Sequence, residues 1–510
     1  MFDTVFTTAM SPIPTHPGEI SLKGLKIDDR SKWELGIKTI ESLLRPGSAT
    51  EKLLEPWQRD GLNSARELLS AVGSSEGKKN SYYIPKGILS DETSDSSAYL
   101  MAEFGGVKGG VHTPAKKHSL RAVAHAQMFS RSLRRSSIKN VFGPKAAFLP
   151  PEWSQLPSES RDKLRALLTW PSLSKWDFNV LELEKYSNGN PLLFLGWAVL
   201  SSPASQIAMA LPSEKEEGTS ALDGYGFLSS FGIRGDTVCN YIRAIEGDYR
   251  ATNSYHSSTH AADVVQTLHV LIQRSEMKFG SSLDLFSILL AAVVHDVGHP
   301  GYNNAFQVRA KTALALNYND HSVLENMHAS KAFQLLSGCS EEDQKLKLLD
   351  ALSPKQESEV RTLVIDAILQ TDMTGHFQKV DEIKGILLSK KVDQIMKEHS
   401  KDVLTFLLHM ADISNPAKPS PMFITWADRC LEEFFNQGDK EAELFFPISP
   451  LCNRSGTERS QSQIGFIQFV IKPAFVVLGK LIPFVDSDVL PIIDQNLEYW
   501  QKEKTLEDSE

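Results

Sequence analysis

Apolar residues in this chain recur mainly at helical spacing, and no stretch alternates apolar and polar positions far enough to read as a strand. The pattern predicts an all-α fold. Leu283 to Val294 is an apolar run of helical length, and Glu357 to Leu369 is amphipathic. In the run from Val403, residues Leu404, Leu408 and Asp412 follow a four-residue step, which puts an acid on the core-facing stripe. An acid placed there needs a partner. Pro191 to Leu211 carries no charged side chain. Its length alone would suit a membrane span, but Gly196, Ser201, Ser202, Pro203, Ser205 and Gln206 make it a poor one.

The first third is different. Residues 1 to about 30 carry Pro12, Pro14, Pro17 and Gly18 and read as flexible. Two short helical patterns follow, Trp33–Leu44 and Lys52–Leu69, which could pair with each other or form a homodimer with a second subunit. From Gly73 to Ser97 the composition is that of a Ser/Gly/Lys linker. Phe104 to Pro151 contains no acidic residue and nine basic ones. That composition predicts a solvated segment, with two alternatives: a tether to an acidic membrane surface, or a phosphorylation region. Arg134-Arg135-Ser136-Ser137 looks like a site for a cyclic-AMP-dependent kinase, with Ser137 as acceptor. The expected division is therefore a partly disordered N-terminal region, 1–165, and a compact multi-helix domain, 170–505. Ser213 to Gly224 reads as a surface insertion.

Composition narrows the class. The net charge of −9 argues against a nucleic-acid partner. Four scattered cysteines without a CxxC pair fit a reducing cytoplasm, and the first ten residues lack the basic and apolar regions of a signal peptide.

The candidate chemistry lies between Tyr255 and His328, where seven of the fourteen histidines fall. His256 and His260 are four apart and share a helix face, and Asp263 is placed to join His260. His295 and Asp296 sit together at the end of the apolar run. A buried carboxylate beside a buried imidazole is costly without a partner, and a divalent cation supplies one. Imidazole suits zinc, and carboxylate with water suits magnesium or manganese.

The run His295-Asp-Val-Gly-His-Pro-Gly-Tyr-Asn-Asn-Ala-Phe306, with Tyr255-His256 and His260-Ala-Ala-Asp-Val264 upstream, resembles the signature of class I 3′,5′-cyclic-nucleotide phosphodiesterases. These are HD-type metal phosphohydrolases. The resemblance extends from about Trp176 to the region of Trp500. The chain departs from the family pattern at Ser257, where Asn is usual, and at Leu444-Phe-Phe-Pro447, where Leu-Gly-Leu-Pro is usual. The resemblance implies hydrolysis of a 3′,5′-cyclic nucleotide to the 5′-monophosphate. Asn415-Pro416 after Asp412-Ile-Ser is similar to members that favour cyclic AMP over cyclic GMP.

By the same resemblance, His260, His295, Asp296 and Asp412 hold a first metal, zinc. Asp296 bridges to a second, magnesium or manganese, and the pair activates a water. His256 is the general acid. Glu325 and His299 orient it and the water, and Thr371 holds a metal-bound water. Asn415, Trp426, Gln463 and Phe466 shape the nucleoside pocket, with Gln463 reading the purine edge and Phe466 stacking on its face. Two alternatives stand beside this one. A related metal phosphohydrolase acting on nucleoside mono- or triphosphates would share the metal residues without needing Gln463 and Phe466. A catalytically silent sensor would lack an intact metal-and-acid set.

Overall fold

The computed structural model describes residues 148–209, 223–275, 277, 279–337 and 345–509. The helical patterns at 33–44 and 52–69, Ser137 and most of the basic segment, and nearly all of the 213–224 insertion lie outside the described residues. Among the described residues every regular element is helical.

Eight helices carry the site: α1 (Pro191–Leu200), α2 (Gly235–Asp248), α3 (Ser258–Arg274), α4 (Ser282–Val294), α5 (Val323–Ser337), α6 (Pro354–Leu369), α7 (Ser400–Asp412) and α8 (Met422–Glu443). Near the C-terminus, α9 (Arg459–Phe466) supplies two candidate pocket residues.

The central helix is α4. A reciprocal box starts it: Ser281 Oγ accepts from Asp284 N at 3.2 Å, and Asp284 Oδ2 accepts from Ser281 N at 2.9 Å. Both orphan donors of the first turn are thereby satisfied. Beyond that turn its side chains are almost all buried, because α1, α3, α6 and α7 pack around it. A helix enclosed in this way can afford few polar groups. Leu289 is completely buried within α4. Leu289→Ala should lower stability by about 2–5 kcal/mol through lost burial and a residual cavity, read as a drop in the denaturation midpoint.

All ten residues of α1 are buried. Pro191 opens it at a position that needs no N–H. The next two amides donate to the buried Glu246 of α2, Leu192 N at 2.9 Å and Leu193 N at 3.2 Å. A Cβ on Gly196 would stand 3.1 Å from Ile242 Cδ1, so glycine lets α1 and α2 approach. Of the uncharged stretch, Pro191–Leu200 is thus a core helix, and the chain breaks after Leu200 and resumes as the helix Ala204–Met209. Among the described residues, the run with the length and apolarity to span a bilayer is Arg459–Leu481, and 61% of its apolar window is buried inside the fold.

The helical unit begins earlier than composition suggested. Trp153 packs on Phe194 with ring centroids 6.0 Å apart, Leu164 is fully buried, and Arg243 pairs with Glu152 at 2.5 Å. Residues from 148 onward therefore belong to the core unit.

Candidate active site

Two helix ends and one helix flank meet at a cluster of imidazoles and carboxylates. Val294 ends α4, His295 caps it and Asp296 follows. Asp412 is the last residue of α7, and His260 lies in the first turn of α3. The chain after Asp296 then turns sharply. Gly298 and Gly301 have φ of +78° and +84°, and a Cβ at Gly301 would lie 2.9 Å from Asn253 Oδ1. These glycines let His299 return to the cluster.

The distances are short. His260 Nε2 is 2.9 Å from Asp412 Oδ1, 3.4 Å from His295 Nε2 and 3.6 Å from Asp296 Oδ2. His295 Nε2 is 3.2 Å from Asp296 Oδ2 and 3.3 Å from Asp412 Oδ1. His295 Nδ1 donates to Ala292 O at 2.9 Å, which turns the Nε2 lone pair toward the cluster. His328 is fixed alike: its Nδ1 donates to Val297 O at 2.9 Å, and its Nε2 stands 3.7 Å from Asp296 Oδ1.

This donor set fits a divalent metal. Ligands at about 2.0–2.1 Å in a tetrahedron stand about 3.3–3.4 Å apart, and the five edges that involve a histidine run from 2.9 to 3.6 Å. The C-terminal ends of α4 and α7 both carry partial negative charge, which favours a cation between them. Burial alone would raise the carboxyls of Asp296 and Asp412, yet the His295 imidazole holds both well below the usual carboxylate range. Burial would depress His295, yet the two carboxylates raise it well above an ordinary histidine. The cluster thus holds positive charge in place, and a dication can take over that role.

Beside it lies a second group. His256 Nδ1 donates to Glu433 Oε1 at 2.5 Å, and the backbone N–H groups of Tyr255 and His256 both donate to Glu433 Oε2 at 3.0 Å. Burial would lower His256, but the Glu433 carboxylate overrides it and raises the imidazole to about 9. In return, against the effect of burial, the His256 charge holds Glu433 at about 2. His299 stacks on His256, with centroids 3.9 Å apart. Burial first, and then the His256 charge, push His299 well below the ordinary range, and its Nδ1 accepts from Gly301 N at 3.0 Å. Asn253 Nδ2 ties the two strands of chain together, donating to His256 O at 3.0 Å and His299 O at 2.8 Å.

The remaining expected residues divide. Glu325 was expected, with His299, to orient His256 and the water; its carboxylate accepts from Asn304 Nδ2 at 3.0 and 3.2 Å, and the acid hydrogen-bonded to His256 is Glu433 from α8. Thr371 is buried just beyond α6, and its hydroxyl donates to Ile368 O at 2.8 Å. Asn415 Nδ2 donates to Tyr255 OH at 2.5 Å, leaving Asn415 Oδ1 buried without a partner. Trp426 lies 5.9 Å from the His260 ring and 5.6 Å from that of Tyr255. Gln463 and Phe466 are half-buried and three apart on one face of α9, sharing no hydrogen bond or ring contact with the cluster. Asp263 does not join His260. It pairs with Lys418 Nζ at 2.9 Å instead.

Comparison with known proteins adds the following. Residues 255–491 match the family model described as 3′5′-cyclic nucleotide phosphodiesterase. The 3′,5′-cyclic-AMP phosphodiesterase 4C of Rattus norvegicus is 34% identical over 335 residues, covering 64% of this chain and 58% of that protein. The dual specificity calcium/calmodulin-dependent 3′,5′-cyclic nucleotide phosphodiesterase 1C of Homo sapiens is 36% identical over 325 residues, or 63% of this chain and 41% of that one. The chain thus spans less than two thirds of the length of these curated relatives. Among solved structures, the phosphodiesterase domain of the RhoPDE fusion protein from the choanoflagellate Salpingoeca rosetta superposes with a TM-score of 0.55 at 27% identity. It is matched over its full length and covers 69% of this chain.

Proposed function

Through residues 255–491 this chain belongs to the 3′5′-cyclic nucleotide phosphodiesterase family, and from that premise we propose that it hydrolyses a 3′,5′-cyclic nucleotide to the nucleoside 5′-monophosphate. The observation that carries the proposal is the pairing of two sites: a four-donor cage at two helix C-termini, and beside it a histidine charged by its own buried acid. Water adds to phosphorus, the bond to the 3′ oxygen breaks, and that oxygen needs a proton.

His256 is the donor. Its Nδ1 is committed to Glu433, so Nε2–H is the proton available. Stacked His299 is neutral and does not compete for the charge. His260, His295, Asp296 and Asp412 would hold the first of two divalent ions, zinc by its donor set, with Asp296 shared with magnesium or manganese. Such ions, when bound, neutralise phosphate charge and make a water nucleophilic near neutral pH. Nothing in this arrangement calls for a nucleic-acid partner.

The base preference follows from Asn415. Its amide nitrogen is spent on Tyr255 and its Oδ1 is buried without a partner, so a base brought against it would have to present a donor. The exocyclic amino group of adenine complements it, whereas the 6-oxygen of guanine does not. Cyclic AMP is therefore the proposed preferred substrate. The test is to incubate purified protein with cyclic AMP, cyclic GMP and a nucleoside triphosphate, with and without chelator. Cleavage of the triphosphate alone would refute the reading, and a higher kcat/KM for cyclic GMP would refute the preference.

A pH profile checks the acid. His256 is protonated below its raised pKa, so kcat/KM should fall as pH rises through about 9. Glu433→Gln removes the carboxylate that lifts the imidazole, and should move that limb toward lower pH.

A further inference from the structure

Lys418 is a completely buried lysine that the proposed chemistry does not use. Its ammonium donates to Asp263 Oδ1 at 2.9 Å, Thr267 Oγ1 at 2.6 Å and Gln266 Oε1 at 3.5 Å. Those three residues are all on α3, one turn or two beyond His260. The ammonium also stands 5.3 Å over the Trp176 ring, whose Nε1 donates to Ala417 O at 2.9 Å. From the other side, Asn496 Nδ2 donates to Pro416 O and to Lys418 O, each at 2.8 Å. The carbonyls of 416, 417 and 418 are thus all held, and all three of the lysine's protons have acceptors.

A buried ion pair is weak as a source of stability, because desolvation offsets the attraction and apolar residues of similar volume often serve as well. This one has a location that stability does not require. It pins the short segment between α7 and α8, and that segment carries Asn415, whose Oδ1 is buried without a partner and is proposed above to meet the base.

We propose that Lys418, gripped by Asp263, is a positioning residue that sets the place of Asn415 and hence the discrimination between adenine and guanine nucleotides. The proposal rests on the nucleotide reading of the pocket. Asp263, which its spacing from His260 would make a metal ligand, serves the base end of the site rather than the phosphate end. One turn of α3 thereby couples the two: His260 faces the phosphate chemistry, and Asp263 fixes the segment that meets the base.

The test uses the full chain. Lys418→Met alone leaves Asp263 buried and unpaired, and should melt below the parent. The double variant Asp263→Leu with Lys418→Met replaces the pair by apolar groups of similar size and should recover most of that loss. In the double variant, amides of residues 413–421 should take up deuterium faster than in the parent, with metal content unchanged. KM for cyclic AMP should rise about tenfold with kcat nearly constant, the pattern of lost ground-state binding, and the preference for cyclic AMP over cyclic GMP should contract.

Unchanged uptake, or an unchanged KM with unchanged preference, would show that the pair only packs, and would overturn the proposal. So would a parallel loss of metal and kcat, which would assign the pair to the metal centre. Deuterium uptake is read without nucleotide. If the parent hydrolyses no cyclic nucleotide, the proposed function fails while the anchoring of 413–421 is still judged on its own.

Discussion

Replacing His260 by Ala should remove metal and activity together. His260 Nε2 lies within 3.6 Å of His295, Asp296 and Asp412, and its ring is fully enclosed. No other imidazole of the cluster can swing into its place, because His295 and His328 are tied through Nδ1 to Ala292 O and Val297 O. Loss of this donor leaves an incomplete cage around two carboxylates. The rate should fall by about 10³-fold or more, since a divalent ion supplies several kcal/mol of charge stabilisation in the transition state. Metal analysis of the dialysed variant beside kinetics decides it. A full complement of metal in the His260→Ala protein would mean that the cage is wrongly drawn.

His256→Ala should behave differently although the two histidines are only four residues apart, His256 lying just before α3 and His260 in its first turn. His256 contacts Glu433 and His299, and is no member of the four-donor cage. Metal should stay, and the rate should fall by about 10²–10⁴-fold, the usual worth of general acid catalysis. A substrate analogue with a better leaving group needs less protonation, so on it the deficit should shrink. Metal loss in this variant, or near-normal turnover of the cyclic nucleotide, would exchange or void the two roles.

The cage was legible in the sequence because its parts carry local signals. His260 belongs to a dense run of histidines, and His295-Asp296 end an apolar run after which Gly298 and Gly301 mark a turn. Asp412 was legible for a different reason: an acid on the apolar stripe of α7 has to be held by something. Glu433 gave no such signal. It lies 177 residues from His256 on a long amphipathic helix, in the run Leu-Glu-Glu-Phe-Phe, where an acid reads as a solvated face. Only tertiary packing turns that residue inward.

Asp263 failed in the opposite sense, because spacing brought it near His260 while its actual partner lies 155 residues away. The all-α class was clear from periodicity. That residues as early as Trp153 join the core was hidden, since Trp153 is a lone aromatic whose place is explained only by Phe194 of α1.

The cage draws its donors from residues 260, 295, 296 and 412, on three helices whose outer members are 152 residues apart. An ion seated there acts as a removable cross-link. It closes a chain loop far longer than any turn or cap can, and loop closure constrains the unfolded chain more as the loop lengthens. Because the unfolded chain has no such cage, every gain in occupancy shifts the folding equilibrium by mass action. With the proposed ion, its free concentration would control how long the polypeptide survives, as well as how fast the proposed hydrolysis runs. A cell that withdraws the ion would weaken the enzyme twice, first as a catalyst and then as a folded body.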